Sequence, residues 1–282
     1  MVVQLDSIGL FNRCMIDLGA GLLHQDLIQE KDISIAFRRQ EFELYYQPQI
    51  ELTTGQPAGS EALLRWDHPL LGCLAPAHFL NIAEKANVFN SIELWVIEEA
   101  FRQLGFWQSV NSFPKKMAIN ISPFQLFQPR FSTKIEYLLK ETGLNPELLE
   151  FELTESTVLE DIDFANDLLR SVRDLGVRIG LDDFGSGYSG LLYLSKLPID
   201  TIKIDRYFIQ ENSHINKAIV RSLTKLAQDL NITTIAEGVE TFDQVDFLLD
   251  VGCKLAQGYY YSPPLTKEEY ARYIHRCHTL SS

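Results

Sequence analysis

The chain of 282 residues has few cysteines and no long apolar run. Its four cysteines are scattered without CxxC spacing, which argues against a structural zinc site or a disulfide framework and favours a reducing cytoplasm. No stretch of about 18 apolar residues occurs, so the sequence predicts no transmembrane segment. The mildly apolar N-terminus is interrupted by Asp6, Arg13 and Asp17 and lacks the basic start of a secretion signal.

Positive charge is also scarce. The chain has 25 lysine and arginine residues against 38 aspartate and glutamate residues, a net charge of −13. This balance disfavours a basic face that binds a nucleic-acid polymer. A small phosphate ligand remains compatible with it, because bound cations can reverse the field inside a cleft. Apolar residues make up 46% of the chain, which is ordinary for a globular protein with a full core.

From about residue 42 onward, strand-like and helix-like segments alternate. This alternation predicts an α/β fold, a TIM-like (β/α)8 barrel with an antiparallel first strand pair. The predicted strands are residues 42–52, 58–66, 116–122, 148–156, 177–183, 201–206, 233–240 and 254–262. The amphipathic segments between them are residues 76–108, 130–142, 161–175, 214–230, 241–250 and 266–277. The first two strands should pair antiparallel because the turn TTGQP is too short for a crossover helix.

The first part of the chain lies outside this alternation. We predict that residues 1–34 form a helical extension or linker and that residues 35–282 form the barrel domain. Residues 26–40 have the pattern of a helix that leads into the first strand. Residues 1–25 are compatible with an extra helix, an oligomerisation arm or the remnant of an upstream domain, and the sequence does not distinguish these.

The segment VRIGLDDFGSGYSG, residues 177–190, places two aspartates at the end of a buried strand. Side chains alternate between the two faces of a strand, so Asp182 and Asp183 can serve one site only where the pleat breaks. Two carboxylates this close repel each other, and usually one takes up a proton or both hold a cation. The pair therefore predicts a metal site.

Other polar side chains lie near the ends of the remaining predicted strands. Any one of them is more often a helix cap or a surface residue, but they recur at successive strand ends. The active site of a (β/α)8 barrel lies at the C-terminal mouth of its strands. We therefore expect carboxylates and one amide to surround Lys203 at that mouth. The expected set is Glu61, Asn120, Glu152, Asp182, Asp183 and Glu237.

Carboxylate and amide oxygens are hard ligands that favour Mg²⁺ or Mn²⁺ over zinc. The set exceeds what one ion needs, which predicts two ions about 4 Å apart that share a bridging carboxylate. Such a pair activates a water molecule and clamps the attacking and leaving oxygens of a phosphoryl displacement. Lys203 would stabilise the charge of the transition state, and Arg65 could hold a non-reacting phosphate.

The glycines that follow the aspartates also match a nucleotide-binding pattern. Residues 185–190, GSGYSG, fit the GxGxxG sequence of dinucleotide-binding loops. Those loops offer bare N–H groups to a pyrophosphate, which Asp182 and Asp183 would repel. We interpret the glycines instead as a mobile loop that closes over the site.

Several motifs occur together, in the right order, in one known family. The chain resembles the EAL-domain family of bacterial cyclic di-GMP phosphodiesterases in YYQPQIELTTGQPAGSEALLRWDHP, AINIS, ELTES, LDDFGSGYSGLLYLSKLPIDTIKID, IAEGVET and QGYYYSPPL. The resemblance covers roughly residues 35–275, and the name-giving triplet is Glu61-Ala62-Leu63. It implies hydrolysis of cyclic di-GMP to linear pGpG with two Mg²⁺ or Mn²⁺ ions, inhibition by Ca²⁺, and a homodimer in the cytoplasm. That reaction would lower a second messenger that controls biofilm formation and motility.

The resemblance also implies roles for individual residues. It implies that the first metal is held by Glu61, Asn120, Glu152 and Asp182, and the second by Asp182, Asp183 and Glu237. The residues implied in catalysis are Lys203, Glu61, Asp183 and Glu237. The residues implied in substrate contact or in organising the metal-bound water are Gln47, Leu63, Arg65 and Gln257. Glu155 resembles the glutamate that anchors the loop after the aspartate pair.

Two other functions remain open at this point. One is a non-catalytic cyclic di-GMP receptor or protein-interaction module built on the same barrel, although such relatives usually lose metal ligands and every ligand is present here. The other is a different metal-dependent barrel enzyme, such as an enolase-type lyase. That alternative fits the oxygen ligands but does not explain Lys203 together with the paired aspartates.

Overall fold

The computed structural model of the protein describes residues 28–110, 116–155, 157, 162–185, 194–211 and 213–279. The described residues form two compact units. The first unit comprises residues 28–45 and 63–99, and the second comprises residues 46–62 and 100–279. Within the described residues, every helix is too short or too polar to span a lipid bilayer.

The second unit is built on a closed barrel. Its strands, within the described residues, are β1 (Phe42–Glu51, from residue 46), β2 (Gln56–His68, up to residue 62), β4 (Met117–Asn120), β5 (Leu149–Thr154), β6 (Arg178–Phe184), β7 (Thr201–Ile204), β8 (Thr233–Ala236) and β9 (Leu255–Ala256). They are ordered β1-β9-β8-β7-β6-β5-β4-β2, and pairing of β1 with β2 closes the ring. The predicted TIM-like α/β barrel is therefore confirmed.

The direction of the first strand is also as predicted. From β2 through β4 to β9, each strand is parallel to its neighbour, whereas β1 pairs antiparallel with β9. Because β2 runs with the other strands, β1 and β2 form an antiparallel pair. All strands except β1 thus direct their C-terminal ends to the same mouth.

Helices of the second unit pack around the barrel. They are the end of α3 (Phe89–Ser109), α4 (Pro123–Leu126), α5 (Phe131–Thr142), α6 (Ile162–Arg173), α7 (Arg206–Gln210), α8 (His214–Asp229), α9 (Phe242–Asp250) and α10 (Lys267–Thr279). Local sequence sets several of their starts, since Ser213 caps α8 and Thr241 forms a capping box with Gln244 at α9. Their apolar faces bury residues such as Val220 and Leu248 against strand residues.

The first unit has its own apolar core. It contains α1 (Glu30–Arg38), the first part of β1, the end of β2, β3 (Gly72–Leu74), α2 (Leu80–Lys85) and the first part of α3. Trp66 packs against Phe42 and Phe79, and its Nε1 donates a hydrogen bond to Glu41 Oε2 at 3.0 Å. Ile33 of α1 is buried in the same cluster.

Some predicted boundaries were wrong. The segment 76–108 is a short 3-10 turn followed by two helices, because Asn87 adopts a left-handed conformation with φ of 55° between α2 and α3. β3 was not predicted, since three residues are too few to show a pattern. The last two predicted strands are shorter, and β8 ends before Gly238, whose φ is 64°.

The predicted N-terminal extension is described only in part. Residues 1–27 lie outside the described residues. The proposed boundary between residues 34 and 35 falls within α1. The division of the chain into residues 1–34 and 35–282 therefore stays a prediction.

Gly258 follows β9 where no side chain fits. A Cβ atom at this position would lie 2.1 Å from the carbonyl oxygen and 2.3 Å from the nitrogen of Val239. Because backbone atoms cannot move aside cheaply, we expect Gly258→Ala to lower the melting temperature by at least about 5 °C, measured by circular dichroism.

Gly105→Ala is the matched control for this substitution. Gly105 lies within α3, and the nearest atom to an added Cβ is 3.7 Å away. Alanine favours a helix over glycine by roughly 0.5–1 kcal/mol, so this variant should melt at or above the wild-type temperature. Equal melting temperatures for wild type and Gly258→Ala would contradict the close contact.

Candidate metal and active site

A buried lysine lies at the centre of the predicted site. Lys203 of β7 is 1% exposed. Its Nζ lies 3.3 Å from Glu61 Oε2, 3.0 Å from Glu152 Oε2, 3.1 Å from Asp182 Oδ1 and 2.7 Å from Glu237 Oε1. The carboxylates come from β2, β5, β6 and the segment after β8, so four parts of the barrel meet around one ammonium group.

The charges around Lys203 are not balanced. Burial alone would lower the pKa of Lys203, but the carboxylates, Glu152 and Glu237 foremost, raise it well above its usual value. Lys203 is therefore a cation at neutral pH. Burial, together with the charges of Asp182 and Glu61, raises the pKa of Glu237 to about 8 against the attraction of Lys203. One ammonium group does not keep all of these carboxyls ionised.

Glu152 also lies in an unfavourable electrostatic environment. Burial raises its pKa well above the usual value, because the attraction of Lys203 does not outweigh it and the charges of Glu61, Asp182 and Glu150 add to it. Its Oε1 is buried and has no hydrogen-bond partner among the described residues. A buried carboxylate oxygen without a donor is costly unless a cation binds it.

Glu61 is held ionised by its neighbours. Burial alone would raise its pKa, but Lys203 and hydrogen bonds from Gln257 and Asn120 lower it below the usual value. Asn120 Nδ2 donates to Glu61 Oε1 at 2.7 Å, and Gln257 Nε2 donates to Glu61 Oε2 at 2.6 Å. Gln257 Nε2 also lies 3.0 Å from Gln47 Oε1. These amides fix the orientation of the Glu61 carboxylate.

The backbone of β6 changes conformation at the aspartate pair. Pairing with β7 shifts register between Leu181 and Phe184, and Asp183 has a φ of 53°, which is rare for a residue with a side chain. Asp183 N donates to Asp182 Oδ1 at 2.9 Å. The strand pleat is broken here, as two adjacent carboxylates at one site require.

A further carboxylate contacts this pair. Burial, the charge of Asp182 and a hydrogen bond with Asp205 together raise the pKa of Asp183 to about 6. Asp205 was not among the predicted site residues. The available signal was its position two residues after Lys203, on the same face at the end of β7.

The carboxylates form two groups that fit divalent cations. Within each group, one ligand atom per residue lies within 4.8 Å of the others. The groups are Glu61, Glu152 and Asp182, and Asp182, Asp183 and Glu237. Asp182 belongs to both. The hard-oxygen donors, the raised pKa values and the partnerless oxygen of Glu152 all fit the two cations expected from the sequence.

Three further predicted residues are Glu155, Leu63 and Arg65. Glu155 Oε1 accepts a hydrogen bond from Gly185 N at 2.9 Å, at the start of the predicted lid, of which residues 186–193 lie outside the described residues. Leu63 and Arg65 belong to the first unit. There, Arg65 Nη1 donates to Leu64 O at 2.8 Å, and the Arg65 guanidinium lies 5.8 Å from the centre of the Tyr45 ring.

The chain is similar to known proteins over most of its length. The family model described as "EAL domain" matches residues 30–264. The chain is 39% identical over 240 residues to the bifunctional diguanylate cyclase/cyclic di-GMP phosphodiesterase MucR of Pseudomonas aeruginosa, covering 84% of this chain and 35% of MucR. It is 37% identical over 243 residues to the cyclic di-GMP phosphodiesterase NbdA of the same species, covering 86% of this chain and 31% of NbdA.

A solved structure of similar fold is the MucR phosphodiesterase in complex with cyclic di-GMP. The TM-score is 0.81 at 38% identity, and the match covers 85% of this chain and 98% of that one. The chain spans about a third of the length of the curated relatives it matches.

The role of Lys203 as a counter-ion can be tested without any substrate. Lys203→Met removes the ammonium group from among four buried or partly buried carboxylates. We expect a loss of about 3 kcal/mol or more of stability without divalent cations. Because cations relieve the same repulsion, Mn²⁺ should raise the melting temperature more in the variant than in the wild type. Thermal unfolding with and without Mn²⁺ measures both.

Lys225→Met is the matched control. Lys225 is 68% exposed and pairs with Asp229 at 2.6 Å on the surface of α8, where such pairs contribute little. Its stability and its response to Mn²⁺ should equal those of the wild type. If Lys203→Met behaved like Lys225→Met, Lys203 would not be the counter-ion of the acidic cluster.

Proposed function

The chain belongs to the EAL domain family, and on that basis we propose that it hydrolyses one phosphodiester bond of cyclic di-GMP to give linear pGpG. The observation that carries the proposal is the set of four carboxylates within 3.3 Å of Lys203. The names of the relatives MucR and NbdA support the substrate. The reaction would lower the messenger that controls biofilm formation and motility.

We assign the cation ligands by the two groups of oxygen donors. One Mg²⁺ or Mn²⁺ would be held by Glu61, Asn120, Glu152 and Asp182, and the other by Asp182, Asp183 and Glu237. When bound, the two cations supply an activated water and neutralise the phosphate charge. Membership of Asp182 in both carboxylate groups supports its role as the bridging ligand.

The protein residues orient these groups and handle charge. Lys203 remains an ammonium group because the carboxylates raise its pKa, so it can donate hydrogen bonds to a phosphate oxygen on which negative charge develops. Asn120 and Gln257 hold Glu61 in one orientation through hydrogen bonds to its two oxygens. With Lys203 we propose Glu61, Asp183 and Glu237 as the catalytic set.

Substrate contact and water orientation are proposed for Gln47, Leu63, Arg65 and Gln257. The hydrogen bond between Gln257 and Gln47, beside Glu61, supports a role in orienting water at the first cation. The proposed roles of Leu63 and Arg65 rest on the family resemblance alone. For Glu155, the hydrogen bond from Gly185 supports a role in anchoring the loop.

Location and assembly are further parts of the proposal. A cytoplasmic location rests on the scattered cysteines, of which Cys253 is a buried free thiol. A homodimer rests on the family resemblance. A non-catalytic cyclic di-GMP receptor is the alternative function, and the same barrel would serve it.

A turnover assay separates these functions. Purified protein is incubated with Mg²⁺ and cyclic di-GMP, and the products are separated by chromatography. We expect pGpG from the wild type and at least about 100-fold less from Glu61→Ala, because a ligand of the first cation is lost. Glu141→Ala, an exposed position on α5, should retain full activity. Tight binding without turnover would favour the receptor, and no binding would exclude both functions.

Calcium should inhibit the reaction. Ca²⁺ binds the same carboxylate oxygens at longer distances and with looser geometry than Mg²⁺, so the attacking and leaving groups lose their alignment. We expect pGpG formation at constant Mg²⁺ to fall as CaCl₂ is added and to recover with excess Mg²⁺. An equal concentration of KCl serves as the control. Undiminished turnover in excess Ca²⁺ would contradict the proposed carboxylate site.

A further inference from the structure

A second polar layer lies beneath the acidic site inside the barrel. Glu150 lies two residues before Glu152 on β5, and Thr201 lies two residues before Lys203 on β7. Because side chains alternate along a strand, the two residues of each pair share a face. Glu150 is 0% exposed and Thr201 is 2% exposed. The layer is thus as deeply buried as Glu152 and Lys203 above it, each of which is 1% exposed.

Two parallel bridges connect β5 with β7. In the lower bridge, Thr201 Oγ1 donates to Glu150 Oε2 at 2.6 Å. In the upper bridge, Lys203 Nζ donates to Glu152 Oε2 at 3.0 Å. β6 lies between these strands in the sheet, so both bridges span an intervening strand.

Gly180 of β6 makes room for both bridges. A Cβ atom at this position would lie 3.2 Å from Glu152 Cγ and 3.5 Å from Glu150 Cδ. Both glutamate side chains therefore pass over the same glycine.

The lower layer is complete in itself. Lys116 Nζ donates to Glu150 Oε1 at 2.7 Å, so both oxygens of Glu150 have a partner and its charge is neutralised. Glu152 differs, because its Oε1 has no partner among the described residues. Buried ion pairs contribute little net stability compared with apolar residues of similar volume. The position of this pair, directly under two site residues, indicates a different role.

We propose that Glu150 and Thr201 are positioning residues for the acidic site. Their hydrogen bond, together with the Lys116 ion pair, sets the separation of β5 and β7 at which Glu152 and Lys203 meet. Loss of the lower bridge loosens the upper one and weakens cation binding. The inference rests on the metal site of the proposed function, and it adds residues that do not contact the cations.

Thr201→Val tests the lower bridge because it removes the hydroxyl and keeps the side-chain shape. Thr234→Val is the matched control. Thr234 is also 2% exposed, pairs with Ile202 of β7 and accepts a hydrogen bond from Lys254 N at 3.2 Å. It precedes Ile235, the partner of Lys203 in the sheet, and therefore faces away from the site.

Binding of Mn²⁺ alone is measured by isothermal titration calorimetry, and stability by thermal unfolding. We expect Thr201→Val to weaken Mn²⁺ binding about tenfold, as removal of groups behind metal ligands does. Thr201→Ser keeps the hydroxyl and should bind Mn²⁺ like the wild type. Thr234→Val should lose comparable stability without any change in Mn²⁺ affinity.

The other outcomes overturn the inference in distinguishable ways. Wild-type affinity in Thr201→Val would show that the lower bridge does not position the site. Equal weakening in Thr201→Val and Thr234→Val would show a general effect of stability. If the wild type itself bound no Mn²⁺, the metal-dependent part of the proposed function would fail together with the inference.

Discussion

Repulsion among the carboxylates around Lys203 is the constraint on which the rest of the structure depends. Four carboxylate oxygens lie within 3.3 Å of one ammonium nitrogen, and Asp183 adds a fifth carboxyl beside Asp182. A single positive charge does not offset this density of negative charge in a buried site. The raised pKa values of Glu152 and Glu237 indicate that these carboxyls need either protons or bound cations to offset the excess negative charge.

The barrel supplies the rigidity that holds these groups together despite their repulsion. Parallel strands bring their C-terminal ends to one mouth, and hydrogen bonds from amides and from Lys203 fix individual carboxylates. Asp183 reaches the site only because the backbone leaves the regular pleat with a positive φ. Beneath the site, the hydrogen bond from Thr201 to Glu150 also connects β5 with β7, and Lys116 neutralises the charge of Glu150. A site with excess negative charge thus lies directly above a layer whose charges are neutralised.

Much of this arrangement could be predicted from the sequence. Alternating segments indicated the barrel, and polar residues at strand ends indicated the site. The short strand β3 could not be predicted, because three residues are too few to show an alternating pattern. Asp205 and Thr201 were not recognised as part of the site. Their partners, Asp183 and Glu150, are distant in sequence, and the pattern of one strand does not show which residues of another strand it contacts.

The location of bound cations tests the two-cation site most directly. Crystals of the protein soaked in Mn²⁺ would be measured at the manganese absorption edge, and anomalous difference maps calculated. We predict two peaks, one among Glu61, Glu152 and Asp182 and one among Asp182, Asp183 and Glu237. Occupied peaks elsewhere, with no anomalous density among these carboxylates, would contradict it.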